Sequence, residues 1–97
     1  MTNENARYSS FVKTMIYREN LRHEMRDARK QQDWGALRDD ATALLKSDPD
    51  DLDAQVAIGE SYEKEGQIDL AVQAYERALP LEGRGSAAVA SVAFKRL

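Results

Sequence analysis

The sequence predicts an all-α fold of stacked antiparallel helix pairs, about five helices in all. Three observations carry this expectation. Between Ile68 and Leu79 the apolar residues recur at the helical period. Only two prolines, Pro49 and Pro80, punctuate the chain, and no run of alternating β-branched residues is present. Residues thirty-four apart also match in type: Trp34 with Ile68, Leu37 with Ala71, Ala41 with Tyr75, Leu44 with Ala78 and Leu45 with Leu79. A period of this length means helix pairs in a row, each unit too thin to bury its apolar face alone.

Taken in order, the chain begins with the stretch from Ser10 to Gln32, where no Pro or Gly intervenes, so one long helix or two abutting ones are expected. Its apolar residues change face. Tyr8, Phe11, Val12, Met15 and Ile16 form one stripe, and Leu21, Met25 and Ala28 form another turned well over a quarter turn away. The first stripe is expected to pack against the edge of the stack or against another chain. A second helix carries Trp34, Leu37, Ala41, Leu44 and Leu45 on one face. In "SDPDD" (47–51), Pro49 stops that helix and Asp50 or Asp51 caps the next. The capped helix is expected over Leu52–Glu65, closed by Gly66 in a left-handed conformation.

A fourth helix follows, with Ile68, Ala71, Val72, Tyr75, Ala78 and Leu79 on its buried stripe. Pro80 is expected to stop it near Leu79, leaving "LEGRG" (81–85) as a loose connection. The last stretch, "SAAVASVAFKRL", opens on Ser86 as N-cap and is nearly all small or apolar, which suits a covered helix. The expected organisation is an N-terminal helix or extension (1–17), a first unit (18–51), a second unit (52–83) and a C-terminal helix (86–97). An end without a polar outer face suits a piece of a longer repeat protein or a pairing with a second copy.

"AIGESYEKEGQIDLAVQAYERAL" (57–79) resembles a tetratricopeptide repeat, with Ile58, Gly59, Tyr62, Gly66, Ala71, Tyr75 and Ala78 at the signature spacings. "DWGALRDDATALLKSDPDD" (33–51), with Trp34, Leu37 and Pro49, is similar to the second helix and closing turn of the preceding repeat. The first unit departs from the pattern, since Glu24 falls where Ile58 sits and Met25 replaces the glycine. Past the second unit the offset pairs Ala54, Ile58 and Gly59 with Ala88, Val92 and Ala93. The resemblance implies that Gly59 and Ala71 are the small residues where two helices cross, with Tyr62 and Tyr75 filling the spaces on either side. A glycine that costs about 1 kcal/mol in helix propensity is then offset by closer packing.

The resemblance also implies a groove lined by the first helix of each unit. Arg22, Arg26 and Arg29 fall on one wall, and Asp53, Val56, Glu60 and Glu63 on the other. A basic wall beside an acidic one suits a peptide or helix of a partner protein. The competing reading is a solvated surface on which Glu19, Glu24 and Asp27 pair with the neighbouring arginines. The carboxylate clamp of some members of this family needs an Asn and basic residues where this chain has Ala57, Ala87 and Ser91.

Charge is segregated along the chain. Residues 1–30 hold seven Lys/Arg and four Asp/Glu, residues 31–69 hold three and eleven, and residues 70–97 hold four and two, within a net charge of −3. Nucleic acid is not an expected partner, because the pI is near 5.1 and acidic residues interleave the arginine row. With no Cys, neither disulfides nor thiolate metal sites are available. No apolar run is long enough for a membrane span or a signal peptide, so a cytoplasmic location is expected.

No catalytic constellation emerges. His23 is the sole histidine, "HEMRD" is not the two-histidine zinc motif, and "DPDDLD" (48–53) lacks the glycine and distal glutamate of a calcium loop. No enzyme activity and no cofactor are expected. The sequence reads as a protein-interaction module. The alternative is structural self-assembly through Phe11, Met15 and Ile16 together with Val89, Val92 and Phe94.

Overall fold

A computed structural model describes residues 3–81, with side chains from residue 9 onward. It contains α1 (Asn3–Gln31), α2 (Trp34–Ser47), α3 (Leu52–Lys64) and α4 (Ile68–Ala78), followed by a 3₁₀ turn over Leu79–Leu81. No strand occurs among the described residues. Each helix packs against the next in the chain. The stretch that could have held two helices is one, and the expected boundary between residues 17 and 18 falls inside it. The C-terminal helix expected over 86–97, with Val89, Val92 and Phe94, lies outside the described residues.

Capping explains where the helices begin. Asp33 accepts the Ala36 N–H at 3.1 Å at the start of α2, and Asp51 accepts the Ala54 N–H at 2.9 Å at the start of α3. Each satisfies one of the unpaired donors that a helix N-terminus leaves. Of the two aspartates expected to cap α3, Asp51 does so. Pro49 follows the C-cap residue Asp48 of α2 and occupies an exposed turn.

Two helices close in the same way. Gly66 has φ +78°, its N–H bonds the Glu63 carbonyl at 3.0 Å, and Gln67 N–H reaches the Tyr62 carbonyl at 2.9 Å. This is the paired closure in which a left-handed residue satisfies the last carbonyls. At the end of α1, Gln32 has φ +56°, its N–H bonds Arg29 O at 3.1 Å, and Asp33 N–H bonds Ala28 O at 2.9 Å. The geometry recurs thirty-four residues apart, once with glycine and once with glutamine.

Two apolar clusters hold the helices together. Leu21, Met25, Ala28, Leu37, Ala41, Leu44, Ala54 and Ala57 form the first, with Trp34, Leu45 and Ile58 packed against it. Leu52, Val56, Ala71, Tyr75 and Ala78 form the second, bordered by Tyr62 and Leu81. Within these clusters the side-chain sizes are complementary. A Cβ placed on Gly59 would lie 2.5 Å from Cε1 of Tyr75. The ring stands directly over the glycine rather than beside it, so Tyr75 itself needs the missing methyl. In the first cluster the positions thirty-four earlier are reversed in size: Met25 is large, Ala41 is small, and both are buried. Met25 on α1 and Ala41 on α2 thus divide large and small in the opposite sense to Gly59 on α3 and Tyr75 on α4.

Polar contacts add to this packing. The Arg38 guanidinium lies 4.4 Å from the Tyr62 ring centroid and donates to Ser61 Oγ at 3.2 Å and to Glu65 Oε1 at 2.5 Å, joining α2 to α3. The Glu65 carboxylate raises the Arg38 pKa. Buried Gln55 donates from Nε2 to the Ala74 carbonyl at 3.0 Å and joins α3 to α4.

Candidate binding groove

The face shared by α1 and α3 brings most of the expected groove residues together, but its charges largely satisfy one another. Arg22 Nη2 lies 2.7 Å from Asp51 Oδ2, and Arg29 Nε lies 2.9 Å from Glu60 Oε1. Asp51 is the more buried partner, its side chain only 8% exposed, and its other oxygen caps α3. One carboxylate therefore orients a helix start and holds a neighbouring helix at once. The Coulomb attraction in these bridges offsets part of the cost of partly desolvating the charges between two helices.

Beside these bridges lies a recess of about 100 Å³, lined by Arg22, Met25, Arg26, Arg29, Leu44 and Asp53. Its charged rim includes Arg26 on α1 and Asp53 on α3, both exposed. Arg26 Nη2 stands 2.7 Å from His23 Nδ1 and 3.8 Å from Glu19. Val56 and Glu63 do not line this recess. Val56 is buried in the second cluster, and Glu63 accepts the Tyr75 hydroxyl at 2.7 Å. Lys64, at the end of α3, places Nζ 5.9 Å from the Trp34 ring centroid.

Farther toward the N-terminus of α1 the surface changes character. Arg18 donates from Nε to Ser47 Oγ at 2.7 Å and from Nη2 to the Ser47 carbonyl. This pins the end of α2 against α1, and beyond it no other described helix accompanies α1. Residues 9–17 are exposed throughout, with Phe11 65% and Ile16 55% exposed. The stripe expected to pack against the edge of the stack does not do so among the described residues. A second, wider recess of about 480 Å³ opens here between Met15, Ile16, Arg18, Glu19 and Arg22.

Sequence reasoning missed Asp51 as the partner of Arg22, and Ser47 as the anchor of Arg18. Both contacts span twenty-nine residues. The available signal was the four-residue spacing of the two arginines, matched by the four-residue spacing from Ser47 to Asp51. It missed Asp40 as well. Burial, a hydrogen bond with Glu24 of α1, and repulsion from Glu24, Asp39 and Asp33 raise the Asp40 carboxyl to about 6.

Among the described residues no group of three or more His, Cys, Asp or Glu is placed to hold a metal ion, and no helix is long and apolar enough to cross a membrane. Compared with protein-family models, curated proteins and solved structures, the chain matches none.

Proposed function

We propose that this chain is a non-catalytic protein-interaction module, its helices forming two stacked antiparallel pairs of the tetratricopeptide type. On this reading, a peptide or helix of a partner protein lies along the face shared by α1 and α3. The observation that supports it best is the recess between Arg26 and Asp53. Its floor is closed by the core residues Met25 and Leu44, 3% and 0% exposed, and two exposed charges of opposite sign stand at its rim. Because Asp51 and Glu60 already pair with Arg22 and Arg29, this face is not a uniformly basic wall. A ligand of mixed charge fits it, with one small apolar side chain entering the recess and an acid and a base flanking that anchor.

Selection from a displayed peptide library tests this reading. Wild-type protein is expected to enrich sequences with an apolar residue between an acidic and a basic one. The Arg26→Glu/Asp53→Lys variant is expected to lose them or to select the reversed charge order. Equal enrichment by both proteins, or none by the wild type, would reject the groove.

A further inference from the structure

We propose that the projecting half of α1 pairs antiparallel with the same segment of a second copy of this chain. This inference is independent of the groove reading, because it concerns a different part of α1.

The first observation is length. α1 has 29 residues and α2 has 14, and α2 ends at Ser47 against Arg18. About 22 Å of helix, residues 3–17 at 1.5 Å each, thus stands clear of the other described helices. An isolated helix of this length is marginal in water, and packing of an apolar face is what ordinarily stabilises it. The exposed stripe of Phe11, Val12, Met15 and Ile16 is such a face.

The second observation identifies the occupant. The four exposed residues Phe11, Val12, Met15 and Ile16 are placed symmetrically about the midpoint between Lys13 and Thr14. Antiparallel pairing on that midpoint sets Val12 opposite Met15 of the copy, while Phe11 and Ile16 close the two sides. The same register sets Arg18 opposite Ser9 and opposes the two helix dipoles. Parallel pairing would instead bring Arg18 beside Arg18 and Glu19 beside Glu19.

Area sets the strength. These side chains expose on the order of 400 Å² per copy, about half of what each partner buries in an interface of standard size. An interface of this size makes the dimer weak and concentration-dependent.

Sedimentation equilibrium of the full chain from about 5 to 500 µM reads the association directly. The wild-type mass is expected to rise from 10.9 kDa toward twice that value. Met15→Glu/Ile16→Glu is expected to remain at the monomer mass, with the melting temperature of dilute wild type, because neither residue belongs to the clusters that hold the helices together. A wild type that stays monomeric at 500 µM overturns the proposal, as does a variant that associates equally well.

Cross-linking tests the register without relying on that variant. The chain has no cysteine, so Val12→Cys and Met15→Cys can be introduced singly and mixed. The mixed 12–15 disulfide is expected to form faster than 12–12 or 15–15, which sit about 4.5 Å out of step along the axis. A faster 12–12 bond would mean parallel pairing and would refute the antiparallel arrangement.

Discussion

The ring of Tyr75 occupies the space where a side chain on Gly59 would begin, 2.5 Å from the position of its Cβ. Gly59→Ala therefore forces Tyr75 to move within a buried cluster. Overpacking of this kind costs about 1–3 kcal/mol, against about 1 kcal/mol that alanine gains in helix propensity. A net loss of about 1 kcal/mol lowers Tm by about 4–8 °C in a domain of this size. Gly59→Leu should abolish folding. In a Tyr75→Leu background, Gly59→Ala should become neutral or stabilising. Equal costs in both backgrounds would break the link between glycine and ring.

Asp51 performs two tasks, and substitutions can separate them. Asp51→Ala removes the cap on α3 and the partner of Arg22, for an expected loss of about 2 kcal/mol in chemical denaturation. Asp51→Ser keeps a capping oxygen and should cost about half as much. In an Arg22→Ala background the serine variant should cost almost nothing. A serine variant as damaging as alanine in the wild-type background would show that capping plays no part.

The two left-handed closures predict opposite signs. Gly66→Ala puts a side chain at φ +78°, where nothing crowds it, so its cost of about 1 kcal/mol is purely conformational. Gln32→Gly relieves the same strain at the end of α1 and should raise stability by about 0.5–1 kcal/mol, net of the glycine's extra freedom in the unfolded chain. Urea midpoints at constant m-value measure both. A destabilising Gln32→Gly would show that the glutamine is not strained there.

Asp40 gives a pH dependence whose sign follows from its environment. Its folded pKa, about 6, lies above the ordinary 3.8, so the folded protein holds the proton more tightly than the unfolded chain does. The resulting stabilisation is fully present below 3.8 and is lost as pH rises through about 6. Wild type should thus gain stability relative to Asp40→Asn as pH falls from 7 to 5, and Asp40→Asn should be the more stable of the two at pH 7. Thermal melts of both proteins at pH 5, 6 and 7 isolate this group from other carboxylates. A difference that stays constant with pH would remove Asp40 from the account.

Much of the secondary structure is legible from local chemistry. Pro49 cannot continue a helix, an aspartate offers its oxygen to free N–H groups, and Gly66 tolerates positive φ. These properties depend on a few neighbouring residues, so the bounds of α3 and α4 follow closely from the sequence. The buried face of α2 follows from spacing, as do Ala71, Tyr75 and Ala78 on α4, but Ile68 of the expected stripe is 56% exposed and Ala74 is buried instead. The closure at Gln32 was not legible, because glutamine has no local preference for positive φ and adopts it only where the following helix packs back.

The candidate groove divides along the same line. That Arg22, Arg26 and Arg29 share a face of α1 is a consequence of 3.6 residues per turn. That Asp51 and Glu60 consume two of those charges, leaving Arg26 and Asp53 at the recess, was decided by the approach of α3. Local chemistry specified helices in chain order, about five with the first stretch as one or two, and most of their apolar faces, because these depend on helical period and end caps; that the Tyr75 ring sits over Gly59 rather than beside it was settled by how α4 approaches α3. Tertiary structure alone decided which charges are spent internally, which carboxyl shares a proton, and that α1 outruns its neighbours to leave Phe11 and Ile16 exposed. Those outcomes depend on distances between residues about thirty positions apart, and helix packing sets such distances.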